Sequence, residues 1–225
     1  MFPQPIYLLL LLPLSICSIQ WTGNTFPNPQ IQYSRCGHRA PAQLCDPDHY
    51  MQPQERQRVD AALRSLRELE VAPKSRYQVC VSTRKGSRDP HITGYLVLAS
   101  RVRPVNETDK SVSVADMTAF TDELIKSWNL DMPCSKDFII VLAVENRMFF
   151  LKQGLDFSTV VAPDVTAGLL DVNGTVHFRR GQYAQGFLAI IQGLKDHISA
   201  QINEAFWQDL NWILVALVLV ITMLI

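Results

Sequence analysis

The stretch from Cys134 to Gly154 constrains the fold of this chain most strongly. It contains an uninterrupted apolar run, Phe138–Val144, which is typical of a strand buried on both faces. Three polar residues, Glu145-Asn146-Arg147, separate it from a second apolar run, Met148–Leu151. The pattern predicts a tight hairpin at the centre of a small sheet, with helical segments on either side of it in the sequence.

A first helix is predicted to begin near Pro53 and to end at Pro73, because proline suits the first helical position and Glu55 suits the first turn. Its apolar residues recur at helical spacing: Val59, Ala62, Leu63, Leu66 and Leu69. The charged residues are predicted to face solvent: Arg56, Arg58, Arg64, Arg67 and Glu68.

The remaining periodicity completes a mixed α/β fold. Strands are predicted over Tyr77–Thr83 and Gly94–Val102, and a helix over Val114–Trp128. The second strand, this helix and the run from Phe138 form a β-α-β unit, which implies parallel strands. The prediction is therefore an α/β domain in which a small central sheet, with a β-α-β unit and a hairpin, is sandwiched between helices.

The two flanks of this unit are also patterned. A shorter helix is predicted within Asp156–Asp171, Asn173-Gly174 is predicted to form a turn, and a long helix is predicted from Arg180 onward, with Tyr183, Phe187 and later apolar residues on one face. Trp21–Gln43 is rich in Pro, Gln and Asn without periodicity, which indicates an extended lead-in.

Both ends of the chain are apolar. Residues 1–18 are leucine-rich and end in small residues, as expected of a secretory signal peptide, with cleavage after Cys17. Trp212–Ile225 is wholly apolar, but fourteen helical residues span only about 21 Å, less than the roughly 30 Å hydrocarbon core. A short single-pass type I anchor and a removable glycolipid-attachment signal both remain open. The predicted division is a signal peptide (1–18), a lead-in (19–34), an extracellular domain (35–205) and a membrane segment (206–225).

The cysteines and sequons agree with secretion. Removal of the signal peptide leaves four cysteines, an even number that favours two disulfides over a zinc site with its close ligand spacing. Proximity in sequence favours Cys36–Cys45, and Cys80 and Cys134 would then pair. Asn106 and Asn173 each begin a glycosylation triplet.

Charge and motifs exclude several functions. The chain has 21 basic and 21 acidic residues, without the basic excess of a nucleic-acid-binding protein, so no nucleic-acid partner is expected. Fingerprints of a nucleophile elbow, a phosphate loop, a zinc protease or a dinucleotide site are absent, and no cofactor is expected. Asp46 and Asp48 could contribute to a metal site, although helix capping and turn formation explain such residues as well.

Several motifs together resemble a known family. Cys45-Asp46-Pro47-Asp48, the Glu145-Asn146-Arg147 hairpin, Gly154 and the segment Gly181–Gly186 are similar to those of TPM-type domains. Cys36-Gly37, the LCDPD motif at 44–48, Cys80 and Cys134 resemble the modulator of levamisole receptor family within that group. The similarity covers roughly residues 35–200.

The resemblance implies an extracellular, membrane-tethered auxiliary protein that binds subunits of a pentameric acetylcholine-gated cation channel. It implies no catalytic residue. Some TPM-type domains are described as acid phosphatases, so a metal-assisted phosphatase that uses the acidic loops is the enzymatic alternative. A cell-surface adhesion domain is the third hypothesis.

Overall fold

The structure is a computed structural model that describes residues 20–69, 91–106, 111–130, 132 and 136–224. The predicted strand Tyr77–Thr83 and the predicted signal peptide lie outside these residues.

Within the described residues, six strands form two sheets. Strands β1 (Gln20–Trp21) and β4 (Arg101–Val102) make a short parallel pair. Strands β2 (Leu44–Cys45), β3 (Gly94–Ala99), β5 (Phe138–Ala143) and β6 (Met148–Gln153) form the main sheet in the order β2-β3-β5-β6. The first three of these are parallel, whereas β6 returns antiparallel to β5. The predicted β-α-β unit and hairpin are therefore present, but the hairpin lies at one end of the sheet rather than at its centre.

Strand β5 is buried on both faces, as its apolar run predicts. Phe138, Ile140 and Leu142 point into one hydrophobic cluster, and the alternate residues of the strand point into a second cluster on the opposite face. Because side chains alternate along a strand, two cores of this kind require an unbroken apolar sequence.

Helices cover both faces of the main sheet. One face is covered by α1 (Pro53–Ser65), which continues as a 3-10 turn over Leu66–Glu68, and by α6 (Tyr183–Leu224). The other face is covered by α2 (Val114–Ser127). The predicted sandwich of helices and sheet is thus confirmed.

Local sequence explains where α1 and α2 begin. Helix α1 has proline in its first turn, and the side chains of Gln52 and Glu55 each accept the other residue's backbone N–H. Ser113 and Asp116 form the same reciprocal arrangement at α2. Both arrangements satisfy amide groups that have no partner within the helix.

The segment before α1 differs from its prediction. Trp21 and Phe26 are buried in the second cluster together with Phe120 and Trp128 of the α2 region. A Cβ on Gly23 would lie 2.4 Å from the backbone oxygen of Phe120, so this segment lies directly against α2. Residues 20–34 therefore differ from the predicted extended lead-in, because Trp21 and Phe26 pack in the second cluster.

The connection from β6 to α6 is more helical than predicted. Helices α3 (Leu155–Val160) and α4 (Pro163–Leu169) replace the single predicted helix. Asn173-Gly174 lies within a π-helical turn, Leu170–Gly174, and not in a loop turn, and α5 (Thr175–Phe178) follows directly. Gly174 suits this position because Ile190 and Phe178 pack within 3 Å of where its Cβ would lie.

Candidate functional site

Polar residues gather where the parallel strands end. Asp46 and Asp48 follow β2, Ser100 follows β3, and Glu145 follows β5. Parallel strands end at a common edge, which is the usual place for ligand sites in α/β sheets. We call this edge, with the loop 46–51 and the hairpin loop 144–147, the carboxyl edge.

Asp46 is fully buried and holds the loop that follows β2. One of its carboxylate oxygens accepts a hydrogen bond from the backbone N–H of Tyr50 (2.9 Å), and the other accepts bonds from the N–H of Met51 (2.9 Å) and from Arg56 Nη1 (3.2 Å). Burial raises the pKa of the Asp46 carboxyl, and the hydrogen bonds to the two amides and to Arg56 oppose that rise.

Arg56 is also buried, and its predicted position on the solvent side of α1 is wrong. Its guanidinium donates to the carbonyl oxygens of Met51 (2.5 Å) and Gly37 (3.3 Å) as well as to Asp46. Charged side chains are stable in a core when their hydrogen-bonding groups are satisfied in this way. The pair therefore fastens the loop after β2 to α1.

Asp48 connects three parts of the chain. Its Oδ2 accepts hydrogen bonds from the indole Nε1 of Trp21 (2.9 Å) and from the backbone N–H of Ser100 (2.8 Å). It therefore joins the short strand β1 and the end of β3 to the loop after β2.

The hairpin loop is fixed to the same edge. The backbone N–H of Glu145 donates to the carbonyl oxygen of Ser100 (2.8 Å), and the carboxylate of Glu145 forms an ion pair with Arg101 (3.1 Å). The Asn146 side chain accepts from the backbone N–H of Val102 (2.8 Å). The Glu145-Asn146-Arg147 sequence thus positions the hairpin against β4.

The acidic residues of this edge form hydrogen bonds within the protein. Asp46 is closed off from solvent, and Asp48 accepts two bonds from neighbouring elements. Among the residues that the structure describes, no three His, Cys, Asp or Glu side chains converge as ligands for a metal ion. Asp46 therefore has the turn-forming role, because it binds the amides of the loop that follows it. Asp48 instead joins distant elements and does not cap α1, whose N-cap is Gln52.

A row of aromatic side chains lies next to these carboxylates. It consists of Tyr50, Tyr183, Phe178 and Phe149, with consecutive ring centroids 5.5, 6.4 and 6.0 Å apart. All four rings are half-buried at the rim of the first hydrophobic cluster. Burial, with smaller contributions from neighbouring groups that include Glu145 and Asp48, raises the pKa of the Tyr50 hydroxyl to about 12. We call these four side chains the aromatic row.

The aromatic row could not be predicted from the sequence. Its members come from the loop after β2, the start of α6, α5 and strand β6, so no sequence spacing links them. One local signal was present, a glycine at 186 on the buried face of α6. The Phe178 ring lies 2.4 Å from where a Cβ of Gly186 would be, so the glycine makes room for this ring.

The predicted disulfide between Cys36 and Cys45 is present. It closes a nine-residue separation and lies in the second hydrophobic cluster. Cys80 and Cys134 lie outside the described residues, so their pairing stays a prediction.

The two sequons lie in different settings. Asn106 is exposed in the connection after β4, which suits an acceptor. The backbone of Asn173 lies in the π-helical turn, and its side chain is outside the described part of the structure. Glycosylation of both residues stays a prediction.

The last helix carries exposed apolar residues near its end. In α6, Trp207, Trp212 and Ile213 are 65, 73 and 61% exposed. Within the described residues, the structure contains no helix that is both apolar and long enough to span a membrane. The membrane segment predicted over 206–225 is therefore not confirmed.

Comparisons with known proteins agree on family and fold. The family model described as modulator of levamisole receptor-1 matches residues 21–147, more than half of the chain. This match includes the segment around Trp21, which was predicted to precede the domain. No curated protein sequence matches the chain.

Two solved structures are similar. The solution structure of the N-terminal domain of a protein from P. gingivalis has a TM-score of 0.55 at 13% identity, and the match covers 82% of this chain and 96% of that domain. At this identity the likeness concerns the fold alone. The BA42 protein from Bizionia argentinensis has a TM-score of 0.43 at 14% identity, and the match covers 67% of this chain and 83% of that one. This score is too low to support a statement about the fold.

Proposed function

The chain belongs to the modulator of levamisole receptor-1 family, and we propose that it is a membrane-tethered extracellular protein that binds and modulates a pentameric acetylcholine-gated cation channel. The family match over residues 21–147 is the observation that carries this proposal. The matched region contains the disulfide and α2, and it also contains the loop 46–51 and the hairpin loop 144–147, which belong to the carboxyl edge.

The arrangement of the carboxyl edge favours binding over hydrolysis. A metal-assisted phosphatase needs carboxylates that converge on an accessible ion. Here Asp46 is buried against Arg56, and Asp48 accepts bonds from Trp21 and Ser100. The same residues give the edge a fixed shape, which suits recognition of another protein.

Three features support an extracellular, membrane-tethered location. The first is the disulfide Cys36–Cys45, because disulfides persist in oxidising compartments. The apolar residues 1–18 and the sequon at Asn106 agree with the secretory route. The exposed tryptophans of α6, followed by an apolar run to Ile225, suit an end that associates with lipid. We therefore place the domain outside the cell, next to the plasma membrane.

Co-expression tests the modulator function directly. Acetylcholine-gated channel subunits are expressed in oocytes with and without this chain, and agonist-evoked current and co-purification are measured. We expect the current to change and the subunits to co-purify. Unchanged current together with no co-purification would refute the proposal.

A second pair of assays covers the alternatives. Surface-labelled cells are treated with a phosphatidylinositol-specific phospholipase, and release of the protein would identify a glycolipid anchor, whereas retention would favour an apolar helix in the membrane. Hydrolysis of p-nitrophenyl phosphate by the purified chain is compared with that of the Asp48→Asn variant. Carboxylate-dependent phosphate release would favour the phosphatase.

A further inference from the structure

The aromatic row is the part of the surface that the internal hydrogen bonds do not explain. A large aromatic ring normally contributes most when it is fully buried, and Phe187 on the same helix is fully buried. The four rings of the row are instead half-buried and lie in a continuous line. The Tyr50–Tyr183 contact is edge-on, with an interplanar angle of 69°, whereas the two contacts through Phe178 are stacked, at 25° and 22°. The Tyr50 end is therefore the end at which the rings do not cover each other face to face.

Negative charge lies at one end of this row. Glu145 and Asp48 are the acidic groups nearest to Tyr50 in electrostatic effect, and both act to raise the pKa of its hydroxyl. Asp46 also acts to raise the pKa of the Tyr50 hydroxyl. The Tyr50 end of the row therefore combines aromatic rings with acidic groups.

We propose that the Tyr50 end of the aromatic row, together with Glu145, binds an arginine side chain presented by a partner protein. A planar guanidinium stacks on aromatic faces and pairs with a carboxylate at the same time. The ring pair Tyr50–Tyr183 supplies the aromatic surface. Hydrogen bonds through Ser100 hold the hairpin loop that carries Glu145 against the loop that carries Tyr50, so the carboxylate and the rings lie at the same edge of the sheet.

The existing ion pair of Glu145 does not prevent this binding. Arg101 and Glu145 are 42% and 33% exposed at the side chain, and exposed pairs of this kind contribute little to stability. A partner's arginine that also stacks on Tyr50 and Tyr183 makes contacts that Arg101 does not, so it can displace Arg101 from Glu145. The inference names the contact chemistry of the proposed modulator and rests on that function only for the identity of the partner.

An arginine probe tests this proposal on the full chain. The protein in a non-ionic maltoside detergent is titrated with N-acetyl-arginine-methylamide, and the neutral isostere N-acetyl-citrulline-methylamide is the control ligand. We expect saturable NMR shifts at Tyr50, Tyr183 and the hairpin loop with arginine and not with citrulline. Equal shifts with both ligands would overturn the proposal.

Two matched variants identify the residues that act. Glu145→Gln removes the charge at the site, and Glu68→Gln removes the charge of an exposed glutamate on the 3-10 turn after α1. We expect arginine binding to weaken about two- to five-fold in Glu145→Gln and to be unchanged in Glu68→Gln. Tyr183→Phe keeps the ring and should keep binding, whereas Tyr183→Leu should weaken it. Equal affinities of the two glutamine variants would refute the assignment.

The same variants separate this inference from the proposed function. If the wild-type chain alters channel current and Glu145→Gln alters it as fully as Glu68→Gln does, the modulator function stands and the arginine site is refuted. If the probe binds selectively but current and co-purification are unaffected by the chain, the arginine site stands and the channel function is refuted.

Discussion

Replacement of Arg56 by methionine should lower the free energy of unfolding by about 3–5 kcal/mol at neutral pH, the usual cost of removing one partner of a buried ion pair. The side chains of Arg56 and Asp46 are 6% and 0% exposed, and their charged atoms are 3.2 Å apart. Methionine fills a similar apolar volume, but it leaves the Asp46 carboxylate without a cation and the carbonyl oxygens of Met51 and Gly37 without this donor.

The pH dependence gives this prediction a distinctive sign. Burial raises the pKa of Asp46 in the folded protein. An acid with a raised folded-state pKa contributes stability that is present at low pH and is lost as the pH rises through that pKa. Loss of the Arg56 charge should raise this pKa further, so that Asp46 takes up a proton in the fold instead of remaining charged. The cost of Arg56→Met should therefore shrink as the pH falls from about 7 towards about 4.

Urea unfolding, followed by circular dichroism at both pH values, measures this cost. The matched control is Arg58→Met on the exposed side of the same helix, which should stay within about 0.5 kcal/mol of wild type. A loss of about 3–5 kcal/mol corresponds to a fall of about 6–20 °C in Tm for a chain of this size. Equal losses in the two variants, or a cost of Arg56→Met that grows at low pH, would refute the reasoning.

Three further predictions follow from particular contacts. Gly23→Ala should lower the free energy of unfolding by about 1–3 kcal/mol, because the new Cβ would meet the backbone of α2. Gly168→Ala is the control: its Cβ meets nothing within 4 Å, so the change should be neutral or stabilise the fold by up to about 1 kcal/mol. The midpoints of urea unfolding compare the two variants. Removal of the Cys36–Cys45 disulfide in a Cys36→Ser/Cys45→Ser variant should lower the free energy of unfolding by about 2–3 kcal/mol; the comparison with wild type is made without reductant, so that the predicted Cys80–Cys134 disulfide stays intact in both. The Tyr50 phenol, with its pKa of about 12, should ionise well above pH 10, so the difference between wild-type and Tyr50→Phe absorbance at 295 nm should appear only there; a difference complete by about pH 10 would contradict the environment described.

The longer elements could be predicted because their apolar residues either recur at the period of the element or form an unbroken run, whereas the two-residue strands β1 and β2 carry no such signal. Phe138–Val144 has no polar residue, which only a strand between two cores tolerates. The residues Met117, Phe120 and Leu124 recur at helical spacing and are buried on α2. Such a pattern indicates which side of a helix or strand is buried, and it can be recognised within a short stretch of sequence.

The sites were harder to predict because their partners are distant in sequence. Arg56 is read as a solvent-facing charge by helical periodicity, and only Asp46, Met51 and Gly37 together make its burial favourable. Trp21 lies in a segment without periodicity, yet its indole bonds Asp48 27 residues away. Long-range hydrogen bonds of this kind leave no spacing signal in a single sequence.

The geometry of α6 joins the proposed binding surface to the proposed anchor. Tyr183 is the first residue of this helix and belongs to the aromatic row, and the side chains through Ile198 are buried against the domain. At 1.5 Å per residue, a straight helix places Trp212 about 44 Å from Tyr183. If the apolar end is held at the bilayer and the helix stands perpendicular to it, the row lies well above the lipid surface. A partner whose contact residues lie close to the membrane could reach the row only if α6 bends beyond Ile202, which still packs against the first hydrophobic cluster.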